Sequence, residues 1–237
     1  MKSHIIASLA LAACVAGCGS VSYQQFNAQS EGVKAIALIS IPNPVHYHAI
    51  DYGGKAALFG GVGGAIIATD AKTMSEAMTK AAKEANFDYS REMQATVIER
   101  LKRAGFNVVT VRAEREAPQS LVPDYSKVPT AGADALLDID ARAVGYATYN
   151  LMDPDFRPHV QVDVRLVSAK TRATLYSEQV MFGYHNPFIA ATQLPSDKQY
   201  YFKDFGALMA DQPRAFAGLR RGMQTIADHV AQRLSSQ

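Results

Sequence analysis

The sequence predicts an α+β domain: a single mixed β-sheet with helices packed on it, carrying a glycine-rich apolar insert. Three observations predict it. An apolar, β-branched run stands near the start, a helical segment passes straight into a second such run, and three consecutive β segments precede a long amphipathic stretch. Strand–helix–strand order calls for a parallel pair, whereas a run of β segments calls for an antiparallel meander. One sheet therefore holds both senses.

Residues 34–41 (KAIALISI) are apolar and bounded by Gly32 and by Pro42 and Pro44, as a buried strand requires. After two histidines comes KAALFGGVGGAIIATD, whose residues 56–68 carry no charge and no polar side chain. Residues 71–85 place Ala71, Met74, Met78, Ala81 and Ala85 on one helical face and leave Lys72, Glu76, Lys80 and Lys83 for solvent. Asp88 is positioned to cap a second helix reaching Ala104, with Met93, Val97, Leu101 and Ala104 inward, three cations in the last turn and Gly105 as the stop. Residues 107–112 (NVVTVR) follow at once as a strand. Helix and flanking strands resemble a βαβ crossover interrupted by an insert at about residues 45–86.

A loop over residues 118–130 leads to β segments at 135–149, 160–167 and 173–184. The polar turn at 169–172 joins the last two as an antiparallel hairpin. Residues 186–211 hold two prolines and several aromatics and read as an irregular excursion. Residues 213–234 close the chain as a helix with Phe216, Leu219, Met223, Ile226, Val230 and Leu234 as its buried stripe.

The amino terminus speaks of destination. Lys2 precedes an uncharged apolar run, residues 5–15, which is shorter than the roughly 20 residues of a spanning helix. Val15, Ala16, Gly17 and Cys18 then resemble the lipobox of bacterial lipoproteins. That resemblance implies cleavage before Cys18 and acyl chains on it; each buried methylene contributes about 0.8 kcal/mol, so several chains anchor firmly. The plain alternatives are an ordinary cleaved signal with a chance cysteine, or an uncleaved anchor. Residues 1–17 are thus expected to be a lipoprotein signal peptide, residues 18–32 a polar tether, and residues 33–237 one domain. Gly19 after Cys18, in place of the aspartate that marks inner-membrane retention, points by resemblance to the outer membrane. With Cys14 removed, Cys18 would be the one cysteine left, so the core alone must hold the fold. A net charge of +2 is too small to imply a nucleic-acid partner.

KAIALISI after a short tether, ERLKRAGFNVV as helix into strand, and ADALLDID leading into VQVDVRLVSAKTRATLYSEQV are together similar to the envelope lipoproteins built on a TolB-amino-terminal-like fold. These include the curli secretion channel lipoprotein and the activator lipoproteins of penicillin-binding proteins. The family hairpin turn resembles D-x-x-T-G, whereas SAKTRA lacks the glycine here. The resemblance implies an interaction module that binds protein partners or assembles into rings, and it carries over no catalytic residue.

The candidate sites are few. Gly60, Gly61, Gly63 and Gly64, followed by Ile66 and Ile67, include a small-xxx-small spacing that lets helices approach closely in lipid. The expectation is a membrane or oligomer contact; the alternative is a buried loop and first helical turn against the sheet. At about 13 residues the segment is too short to cross ~30 Å of hydrocarbon, and no lysine follows at phosphate-loop spacing. His46 and His48 stand two apart and could share a metal with Asp51, although two prolines indicate a loop. Asp138 and Asp140 alternate along a strand, as paired acids do, and are expected to form its wet side. Asp153, Asp155 and Arg157 read as turn residues. Tyr184, His185, Phe188, Tyr200, Tyr201, Phe202 and Phe205 offer either a contact surface or cover for a sheet edge. No nucleophile elbow and no HExxH motif is present. The expected function is a non-enzymatic envelope assembly or accessory module without a cofactor, binding the membrane through Cys18 and a protein partner or itself. A periplasmic ligand-binding or hydrolytic domain with a dispersed site is the alternative.

Overall fold

A computed structural model of the 237-residue chain describes residues 23–26, 32–52, 60–149, 153–183 and 190–235, with residues 60–68 described by their backbone. Cys18 and the signal segment lie outside the described residues. So do most of the tether, Tyr184, His185 and Phe188, and the side chains of Ile66 and Ile67.

Strand β1 (Ala35–Ile39) forms where the sequence places it, and all but its first residue are buried. Strand β2 (His48–Ile50) follows inside the expected insert. Helix α1 (Gly60–Glu84) takes in the glycine run and the amphipathic stretch as one element. Helix α2 (Tyr89–Arg103) begins at Asp88, whose side chain accepts from the Arg91 amide, and buries Tyr89, Met93, Val97 and Leu101. Gly105 ends the turn with a φ of 94°. Strand β3 (Asn107–Val111) follows immediately.

The meander is β4 (Ala135–Ala147), β5 (Arg157–Ser168) and β6 (Thr174–Phe182). The excursion proves partly ordered: it supplies strand β7 (Thr192–Leu194) and helix α3 (Phe205–Ala210), the latter capped by Asp204. Helix α4 (Gln212–Ser235) closes the fold and buries the whole predicted stripe.

The seven strands form one mixed sheet in the order β3-β1-β4-β5-β6-β7, with β2 on β4 as well. β1 is parallel to both β3 and β4, and β4, β5 and β6 are antiparallel in turn. At thirteen residues, β4 is long enough to pair with β1 over Ala135–Leu137 and with β2 over Gly145–Ala147. A bulge at Arg142 shifts the register by one residue, so Ala141 before it and Val144 and Tyr146 after it face the same side.

The main core lies between that side and the helices. Val160, Val162, Val164 and Leu166 of β5 meet Leu219, Met223 and Ile226 of α4, all of them buried. Close approach is possible because α4 presents Gly218 and Gly222. A Cβ at Gly222 would stand 2.8 Å from the Phe182 ring, and one at Gly218 would stand 2.4 Å from the Tyr146 hydroxyl. A second, smaller core of Ala37, Ile39, Val111, Val122, Tyr125, Val128, Leu136 and Val167 sits on the opposite side, under the strap of residues 112–130.

Candidate functional site

Strand alternation sends every second residue of β4 and β5 away from the helices. On β4 these are Leu136, Asp138 and Asp140; on β5 they are His159, Gln161, Asp163 and Arg165, with Asp138 opposite Arg165 and Asp140 opposite Asp163. This side was expected to be wet. Instead Asp138 and Asp140 are fully buried and Asp163 is 3% exposed. The reason is the strap, which folds Arg115, Gln119, Val122 and Tyr125 back over β4 and shuts water out.

Asp138 is fully answered. It accepts from Arg115 Nη2 at 2.6 Å, from the Val122 amide at 2.8 Å and from the Tyr125 hydroxyl at 2.9 Å. Arg115 also donates to the Ser120 and Ser40 carbonyls, tying the strap to the end of β1. Burial, together with the Asp138 charge, drives the Tyr125 hydroxyl well above its ordinary range, so it serves as a donor.

Asp140 is not answered. Neither carboxylate oxygen has a hydrogen-bond partner among the described residues, and the same holds for the Tyr89 hydroxyl. Burial pushes the Asp140 carboxyl up to about 6, with Arg115 opposing and the neighbouring Asp138 and Asp163 adding to the rise. Asp163 is raised by burial too, although Gln179 donates to it at 2.9 Å and Arg142 Nε lies 3.3 Å away. Of the carboxylates on this face, Asp140 and Asp163 are both raised by burial. Asp140 itself is fully buried.

Further along the same face, Gly145 separates two histidines. His48 on β2 and His159 on β5 are both its register partners, and His48 Nε2 lies 3.0 Å from His159 Nδ1. A Cβ on residue 145 would fall 1.9 Å from the His48 carbonyl oxygen. Burial holds His48 down to about 4 and His159 well below its ordinary value, so both rings are neutral at physiological pH. His48 thus pairs with His159, whereas the sequence had offered His46 as its neighbour in a weak metal candidate. His46 stays exposed in the loop, Asp51 accepts from Thr148 at 2.9 Å, and no group of three possible metal ligands occurs among the described residues. Sequence could not foresee the 48–159 pair, because 111 residues separate its members.

On the helix side Glu178 forms another sealed network. It accepts from the Tyr176 and Thr192 hydroxyls and pairs with His229 Nε2 at 2.9 Å, joining β6, β7 and α4. Its pKa lies below the usual carboxylate value, because those hydrogen bonds outweigh the penalty of burial.

A further polar feature lies near Arg157. Its guanidinium is stacked between the Tyr149 and Tyr201 rings, 4.4 and 4.5 Å from their centroids, and pairs with Asp153. A cavity of about 280 Å³ opens there, lined also by Gln193 and Ser196. Arg157 is thus more than a turn residue. Of the excursion's aromatics, Phe202 is buried against Tyr146 and Phe205 packs on Phe156, so these two cover the sheet.

No protein-family model matches the chain, and no curated protein matches it. Among solved structures, the PelC dodecamer from Paraburkholderia phytofirmans is 12% identical, covering 92% of this chain and 98% of that one at a TM-score of 0.38. A single-substitution variant of that dodecamer is 14% identical, with 91% and 98% covered and a TM-score of 0.40. A Xanthomonas campestris protein described as DUF330 is 10% identical over 84% of each chain at a TM-score of 0.40.

The glycine run enters α1 as helix, and no described helix is long and apolar enough to cross a membrane. Whether Gly60, Gly61, Gly63 and Gly64 touch lipid or a partner falls outside what the described side chains report.

Proposed function

We propose that the protein is a lipid-anchored envelope lipoprotein, held at the outer membrane through Cys18 and facing the periplasm, where it acts as a non-enzymatic assembly or accessory module. The lipobox at residues 15–18 and the TolB-amino-terminal-like pattern support this reading. The observation that carries it is how the start of the domain is fastened. Gln24 exchanges both backbone hydrogen bonds with Ser177 at 2.8 and 3.1 Å, its side chain donates to the Thr174 carbonyl at 2.7 Å, and Phe26 is buried in the main core. Tyr23 stands five residues after Cys18, a reach of at most about 18 Å. An acyl handle on Cys18 would hold the outer edge of β6 close to the headgroups, with little free tether between.

The buried carboxylates support a structural part for the ionisable groups. Asp138 and Glu178 fasten elements to one another, and Asp140 is fully buried. The test is mass spectrometry of the mature amino-terminal peptide together with fractionation of a Cys18→Ser variant. The reading requires a diacylglyceryl-modified peptide in the wild type and release of the variant from membranes. An unmodified wild-type peptide would overturn it.

A second reading has one observation in its favour, the Arg157 cavity. A guanidinium held flat between two tyrosines beside Ser196 and Gln193 suits a small carboxylate ligand. Titration with small dicarboxylates, followed by calorimetry against an Arg157→Gln variant, tests it; heats equal in the two proteins would dismiss it.

A further inference from the structure

The free strand edges of this sheet are treated differently from one another. The amides of Tyr47 and Ala49, in and just before β2, are taken up by the hydroxyls of Thr79 and Ser75 on α1, at 3.0 and 3.1 Å. The outer edge of β6 is paired by Gln24 and by β7. Among the described residues, β3 has no such cover. Its sequence NVVTV holds no charge, proline or glycine, and Asn107, Val109 and Thr110 are exposed, Val109 by 43%. Uncharged, β-branched, unbulged edges are templates for a further strand.

Hydrogen bonding to β1 fixes which groups that edge offers. The Asn107 amide donates to the Lys34 carbonyl, and the Val111 carbonyl accepts from the Ser40 amide. Residues 107, 109 and 111 therefore turn their backbone groups toward β1. Val108 and Thr110 turn theirs outward. Two outward residues flanking Val109 form a self-complementary set: about a two-fold axis through Val109, Val108 of one copy faces Thr110 of the other, and four backbone hydrogen bonds close. Val109 then meets its own counterpart as the non-hydrogen-bonded pair, about 4.5 Å apart at Cα.

Charge selects the direction. Lys102 and Arg103 precede the strand, and Arg112, Glu114 and Glu116 follow it, all exposed, so the leading side is basic and the trailing side carries one net negative charge. Antiparallel pairing brings the acidic end of one copy to the basic end of the other, whereas parallel pairing sets like beside like.

We propose that β3 is a self-association edge, joining two copies of this chain antiparallel across Val109 into a continuous sheet. This deepens the assembly reading above by naming the partner, and it does not depend on the acyl anchor.

The test is cysteine crosslinking of the full-length chain in intact expressing cells, with the wild type as background for Cys14 and Cys18. Val109→Cys should give a covalent dimer on mild oxidation, because the axis places the two thiols within disulfide reach. Asn107→Cys should give none above background, since its symmetry mate lies about 13 Å away along the strands. Thr110→Pro, which removes an outward amide and spares the β1 pairing, should return the Val109→Cys dimer to background. Absence of the Val109→Cys dimer, or equal crosslinking at 107 and 109, would overturn the proposal. Such a result with Cys18 still acylated would remove self-pairing and leave the anchor standing.

Discussion

Replacing Asp140 by asparagine should stabilise the protein, and only at neutral and alkaline pH. The carboxyl is fully buried, has no hydrogen-bond partner among the described residues, and is raised by burial from 3.8 to about 6. A group whose folded pKa is raised adds stability while it is protonated. That contribution is complete below pH 4 and is lost as pH climbs through 6. A rise of this size, with the opposing Arg115 and Arg142 charges already included, corresponds to about 3 kcal/mol. Asparagine matches the shape of the protonated acid and never ionises. Urea unfolding of both proteins at pH 4, 6 and 8 is the assay. With a slope near 2–3 kcal/mol per molar urea, the variant's midpoint should exceed the wild type's by roughly 1 M at pH 8, with the gap closing toward pH 4. A variant that is less stable at pH 8, or a gap independent of pH, would refute the account of Asp140 as a carboxylate ionised against its surroundings.

The histidine pair predicts an opposite limb. His48 is held down to about 4 by burial, so stability present above pH 6.5 is lost as pH falls toward 4, and His48→Asn should flatten that loss in the same unfolding series. Arg115→Met should cost about 3–5 kcal/mol, because it leaves the Asp138 charge buried opposite an apolar chain; an unchanged thermal midpoint would mean the strap is not fastened there. Gly222→Val should lower the melting temperature by several degrees and free α4 from β5 and β6, detectable as faster amide exchange along α4.

Much of this fold is written in local pattern. The helix stop at Gly105, the Asp88 cap, the alternation of β5 and the α4 stripe are each settled by residues within a turn or two of one another. β2 was not visible, because a three-residue strand preceded by prolines carries no period of its own and exists by pairing with Gly145–Ala147, about a hundred residues on. The burial of Asp138 and Asp140 was hidden for a related reason. Alternation told which residues share a face, but only the return of residues 112–130 across that face decided that it is dry. Gly218 and Gly222 are the device the sequence displayed in plain view, at helical spacing inside the final stripe, while attention falls more readily on the denser glycines at 60–64. The apolar period identifies what a helix buries; close approach is marked by what is missing from it.

The double use of β4 has a consequence for how the chain comes together. β1 draws both neighbours from far downstream, residues 107–111 and 135–137, and β2 waits for residues 145–147. The local hairpins are the two of the meander, β4 with β5 and β5 with β6. Until β4 and its hairpin partner β5 are made, the leading half of the polypeptide can pair only β1 with β3, and contacts of such long sequence separation form slowly. A nascent polypeptide of this design therefore gains most of its sheet late, once residues 135–182 have been added.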